Sequence, residues 1–176
     1  MDNRPESVGG VALAPESRFR VLVAVAPGCG TPATISDVIA QTFRTSGFDT
    51  TLMPLEDITS LDEYDAVVAG SAVQNGRWIG AAKEFVTKHK SQLRKRMVWL
   101  FSSGSMGRPG SQSEIVLLDS LADPLEHKLF NPPDTVPRSG LAGSNDPSGC
   151  CPDEVRRWAL HVAGALSVAA SSPPAH

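Results

Sequence analysis

The sequence predicts an α/β fold, a doubly wound parallel sheet in three layers. Three observations predict it. Short apolar runs recur along the chain, segments of helical spacing separate them, and glycine-bearing loops follow the runs. Arg20–Ala26 is nearly continuous in apolar residues, as a strand buried on both faces requires. Pro27-Gly28-Cys29-Gly30-Thr31 breaks it. Ile35, Val38, Ile39, Thr42 and Phe43 then repeat at helical spacing, with Pro32 in the first turn, Thr31 as a cap, and Gly47 closing the segment. Asp49–Leu55 reads as a shorter strand around Thr50–Met53, and 56–63 as a connection with a helical turn. Ala66–Gly70 is a third strand, ending in small residues. Ala81–Leu93 is a helix with Ala82, Phe85, Val86 and His89 on one stripe, and Val98–Ser102 is a fourth, buried strand.

Beyond Gly104 the pattern weakens. Ser113–Leu121 reads as a short helix and His127–Phe130 as a clipped edge strand, so the fifth-strand region is expected to be irregular. Residues 131–152 hold five prolines and three glycines, which excludes one regular element. Val155, Trp158, Ala159, Val162 and Leu166 then share one helical face, opened by Pro152, Asp153 and Glu154. The expected organisation is a disordered arm over 1–17, one domain over 18–170 and a tail over 171–176.

Composition narrows function by exclusion. Sixteen basic against nineteen acidic residues give a net charge of −3, with no basic cluster suited to nucleic acid. No apolar run reaches the length of a membrane span, and the N-terminus lacks a signal-peptide core, so the reading is cytoplasmic. Three cysteines, Cys29, Cys150 and Cys151, show no CxxC spacing, and no metal site is expected. Cys29 reads as a small loop residue, and Cys150-Cys151 as two thiols. No Ser-His-Asp order, HExxH or paired-carboxylate motif is visible. His89 and His161 read as surface or interface histidines, and no catalytic residue is assigned.

A doubly wound sheet binds ligands at the carboxyl ends of its strands. Three loops occupy that rim: Pro27–Thr31, Ala72–Trp78 and Ser102–Gly110. The first meets a helix N-terminus, where free N–H groups and the helix dipole favour an anion. It is neither a Walker A loop nor a complete GxGxxG, since Ala33 fills the third glycine position.

The run Val21–Ala26, Gly30-Thr31, Ile35 through Phe43, and Tyr64–Val73 resembles the flavodoxin-domain family. Gly76-Arg77-Trp78, Phe85-Val86 and Val98–Gly104 resemble its branch near menaquinone-dependent protoporphyrinogen oxidase. The likeness covers residues 19–108, and Arg156–Ala159 resembles the closing helix. It implies a flavodoxin-like fold, FMN held noncovalently on three loops, and electron or hydride transfer. The site it implies is Gly28, Cys29, Gly30, Thr31 and Thr34 in the first loop. Ala72, Val73, Gln74, Asn75, Gly76 and Trp78 form the second, and Ser102, Ser103, Gly104 and Ser105 the third.

The phosphate loop is degenerate by the family's pattern. Pro27 and Pro32 stand where hydroxyl-bearing residues are usual, and Gln74 stands where an aromatic ring often covers the flavin. Trp78 either edges the ring or anchors the next helix; Asn75-Gly76 and Ser102–Ser105 either meet the flavin or serve as simple turns. The leading expectation is therefore a weakly held FMN in a redox protein, partnered by a redox protein or a small-molecule substrate. The alternative is a binding module that has lost FMN and uses the same rim. An exposed sheet edge near 131–152 also invites a partner strand, which makes a homodimer an expectation.

Overall fold

The computed structural model describes residues 19–26, 31–74, 77–78, 80–104, 119–130 and 152–171. Five strands run parallel: β1 (Arg20–Val25), β2 (Asp49–Pro54), β3 (Ala66–Gln74), β5 (Met97–Ser103) and β6 (Glu126–Phe130). A two-residue β4 (Arg77–Trp78) folds back antiparallel on the end of β3. The order is β2-β1-β3-β5-β6, so the chain winds outward from β1 to β2 and then crosses to β3. That reversal puts a topological switch point between β1 and β3, where open α/β sheets bind ligands.

Strand alternation builds two cores from one sheet. Leu22, Ala24, Val67, Ala69, Val98 and Leu100 face α2 (Gly80–Leu93) and pack on Ala82, Phe85, Val86 and Leu93. Val21, Val23, Ala66, Val68, Trp99 and Phe101 face the other way. There they meet Ile35, Ile39 and Phe43 of α1 (Thr31–Thr45) and Val155, Trp158, Val162 and Leu166 of α3 (Pro152–Ser171). The continuous apolar runs exist because both faces of the sheet are covered. Helices on both faces give the three layers expected from sequence.

Helix α1 ends in a Schellman turn. Gly47 has φ +92°, the Gly47 amide donates to the Arg44 carbonyl at 3.1 Å, and the Phe48 amide donates to the Phe43 carbonyl at 3.1 Å. The Phe43 and Phe48 rings close it in an edge contact, with centroids 6.4 Å apart.

Three elements differ from the sequence reading. Strand β3 runs on through Ser71, Ala72, Val73 and Gln74, because Ser71 and Ala72 pair with Ser102 and Ser103 and the strand then turns into β4. The small residues that looked like terminators are ladder residues. Thr31 is already helical, one place inside the expected cap position. The edge strand expected at His127–Phe130 is found as β6 at the edge of the sheet, but it pairs regularly with β5 from Trp99↔Glu126 to Ser103↔Phe130 where the region was expected to be irregular. The expected helix over 113–121 is described only at its end, where 119–122 is helical. The expected arm, the tail from 172 and the proline-rich segment up to Cys151 lie outside the described residues.

Candidate functional site

The carboxyl ends of β1, β3 and β5 lie side by side. Val25 pairs with Gly70, the Ala26 amide donates to the Gly70 carbonyl at 2.9 Å, and Gly70 pairs with Phe101. Gly70 is fixed by its neighbour: a Cβ there would fall 1.9 Å from the Phe101 ring. The first loop is described only at its helical end, where Thr31 opens α1 and Thr34 is half-buried on the same turn. Pro32 has no N–H to present, so the backbone donors without an intrahelical partner on this turn belong to Thr31 and Ala33. No acidic side chain stands in that first turn, so nothing there offsets the positive end of the helix dipole.

The second and third loops touch directly. Gly104, at φ +129°, lies against β3; a Cβ on it would come within 2.6 Å of the Val73 carbonyl oxygen. Its amide donates to the Phe130 carbonyl at 3.2 Å, tying the end of β5 to the end of β6. Ser103 is buried, Ala72 is half-buried, and Gln74 closes β3 opposite Arg77.

Trp78 lies in the core against α2, only 4% exposed, and its Nε1 donates to Ser102 Oγ at 2.7 Å. Ser102 Oγ lies 2.8 Å from His127 Nε2, and His127 Nδ1 lies 2.7 Å from Asp119 Oδ1. The Trp78 and His127 rings meet edge to face at 5.7 Å. The serine, imidazole and carboxylate thus form a row of the kind hydrolases use. Here Ser102 is 1% exposed and its oxygen accepts a hydrogen bond from the indole N–H, so the row presents no nucleophile to a substrate.

Gly28, Cys29, Gly30, Asn75, Gly76 and Ser105 lie outside the described residues, as do Cys150 and Cys151. Among the described residues no three His, Cys, Asp or Glu side chains converge to hold a metal ion. No helix there is long and apolar enough to cross a membrane.

The flavodoxin-domain family profile matches residues 22–138. The chain belongs to the flavodoxin-domain family. This flavodoxin domain is similar in structure to rubredoxin:oxygen oxidoreductase from Desulfovibrio gigas, at 14% identity and TM-score 0.62. That match covers 88% of this chain and 37% of the larger protein. A flavodoxin variant from Pseudomonas aeruginosa matches at 14% identity and TM-score 0.59, covering 84% of this chain and 99% of that one. The Fusobacterium nucleatum flavodoxin bound to flavin mononucleotide matches at 12% and 0.54, covering 83% and 98%. At such identities the likeness concerns fold. No curated protein matches the chain.

Two features of this flavodoxin domain escaped the sequence. Asp119 and His127 join Ser102 only because β6 pairs with β5 in the register Leu100↔His127, which puts the imidazole on the face that Ser102 shares with Leu100. Spacings of 25 and 8 positions carry no motif. His89, read as a surface or interface residue, is 4% exposed. Its place on the apolar stripe of α2 decided its burial, and the residue type misled. Its Nδ1 meets Gln92 Oε1 at 2.9 Å, while Nε2 is buried with no partner among the described residues. Gln92 passes the link on to Asp62, whose carboxyl is held below its usual range by the Ser60 hydroxyl and then by Arg96. His161 is exposed, 3.8 Å from Glu126, as the sequence suggested.

Proposed function

We propose that this flavodoxin domain binds FMN weakly along the carboxyl rim of its sheet and acts in redox chemistry, as a specialised electron carrier or a small oxidoreductase. The observation that carries the reading is the start of α1 beside the β1–β3 switch point, its dipole unopposed by any first-turn acid. The fit is partial. Thr31 and Ala33 supply amides and Thr34 a hydroxyl toward a phosphate, whereas Pro32 supplies neither. Gly28, Cys29 and Gly30 would complete that cradle. Ala72, Val73, Gln74, Asn75 and Gly76 on one side, and Ser103, Gly104 and Ser105 on the other, would line the ring, while Ser102, its hydroxyl committed to Trp78 and His127, would support them from beneath. FMN supplies, when bound, reversible electron acceptance. The chain's part is to hold the phosphate, orient the ring and limit water at its edge. A redox protein or a small-molecule substrate is the expected partner.

Trp78 serves this reading as an anchor, since its indole is committed to Ser102 beneath the rim. The same burial, with Pro32 in the first turn, favours a second reading: a binding module that uses the rim without FMN. Titration of the purified chain with FMN, followed by quenching of flavin fluorescence, separates the two. Saturable quenching with a dissociation constant in the micromolar range supports the first. No quenching at millimolar chain concentration supports the second.

A further inference from the structure

The row from Trp78 to Asp119 has a direction set by its chemistry. An indole N–H only donates, so Ser102 Oγ is the acceptor from Trp78. The serine keeps one proton to give, and His127 Nε2 is in place to receive it. The Asp119 carboxylate accepts from His127 Nδ1, which keeps the imidazole proton on that side and leaves Nε2 a lone pair. The row also runs from core to solvent. Trp78 is 4% and Ser102 1% exposed, and the side chains of His127 and Asp119 are 12% and 34% exposed.

We propose that Asp119 and His127 act as positioning residues, a latch that reaches through Ser102 to Trp78 and holds the hairpin pairs of Val73–Gln74 with Arg77–Trp78 against the end of β5 at 102–104. The hairpin needs such help. It closes with two residue pairs, Val73↔Trp78 and Gln74↔Arg77, and a ribbon that short is marginal alone. Trp78 ties it to β5 from one face of the sheet, and the contact of Gly104 with the Val73 carbonyl ties it at the backbone. The paired ends of β3 and β4 and the end of β5 thereby move as one piece, governed by a carboxylate near the surface. The consequence for FMN rests on the reading proposed above; the latch itself does not.

The test is hydrogen exchange by NMR on the full ligand-free chain, reading the Trp78 indole N–H and the Val73 and Trp78 amides against those of Val21–Ala24. Asp119→Ala, and His127→Phe, which keeps a ring against Trp78, are expected to speed exchange at the hairpin at least tenfold beyond any change in β1. His127→Gln, whose amide oxygen takes the Ser102 proton, is expected to restore part of the protection. Equal acceleration in hairpin and β1, or none at Trp78, overturns the latch. With FMN added, the two disrupting variants are expected to bind at least fivefold more weakly than the parent. Unchanged affinity with faster hairpin exchange overturns its role in shaping the rim. A parent that takes no FMN while its hairpin responds overturns the flavin reading and supports the latch.

Discussion

Gly70 shows how one missing side chain can hold a sheet and its rim together. It pairs with Val25 on one side and Phe101 on the other, and the Phe101 ring lies where its Cβ would be. That ring cannot retreat freely. It is fully buried, with the Phe130 and Trp158 rings at 6.2 and 6.4 Å. Gly70→Ala is therefore an overpacking change, expected to cost about 1–3 kcal/mol of stability in urea unfolding. Adding Phe101→Leu should return part of the loss by vacating the ring's position. A single variant as stable as the parent would show that the ring yields and that the contact does not select glycine.

Among elements, α1 and β3 mark where local pattern suffices and where it fails. The end of α1 is written locally: Gly47 supplies the positive φ, and Phe43 and Phe48 supply the clasp. No heavy atom lies within 4 Å of a Cβ placed on Gly47, so Gly47→Ala isolates the backbone term. The expected loss is about 1–2 kcal/mol, with Gly47→Asn less costly, both read from urea midpoints. A neutral alanine there would mean that the turn relaxes into a different cap. The three buried runs, in β1, β3 and β5, were equally legible, because apolar residues on both faces leave few alternatives. The last four residues of β3 were not, since Ser71 and Ala72 carry no apolar signal and become strand through Ser102 and Ser103. His127 was legible as part of an edge strand, but nothing in the sequence joined it to Asp119. Their link to Ser102 is a product of parallel register, which a single sequence does not display.

At the scale of the whole molecule the FMN reading turns on affinity, and charge and prolines both bear on it. A net charge of −3 is mild, so long-range attraction to a basic redox partner is small and specificity must come from contacts. In the proposed FMN reading, affinity rests on donors facing the FMN phosphate. The helix supplies amides from Thr31 and Ala33 but not from Pro32, and Pro27 brings a second proline to the same loop. A hydrogen bond to a charged group contributes about 1.5–3 kcal/mol. Two missing donors thus correspond to about 3–6 kcal/mol, or about two to four powers of ten in dissociation constant. Pro27→Ser with Pro32→Thr is expected to tighten FMN binding at least tenfold, below the full sum because neighbouring contacts couple. Adding Gln74→Tyr is expected to tighten it again, by about 1 kcal/mol if the new ring lies against the flavin. Flavin quenching measures both steps, and the parent should come from purification with FMN well below one per chain. A parent fully loaded after dialysis would mean that other groups hold the phosphate. A double variant that stays colourless at saturating FMN would mean that the rim is shaped for another ligand, and would move the assignment to the cofactor-free module.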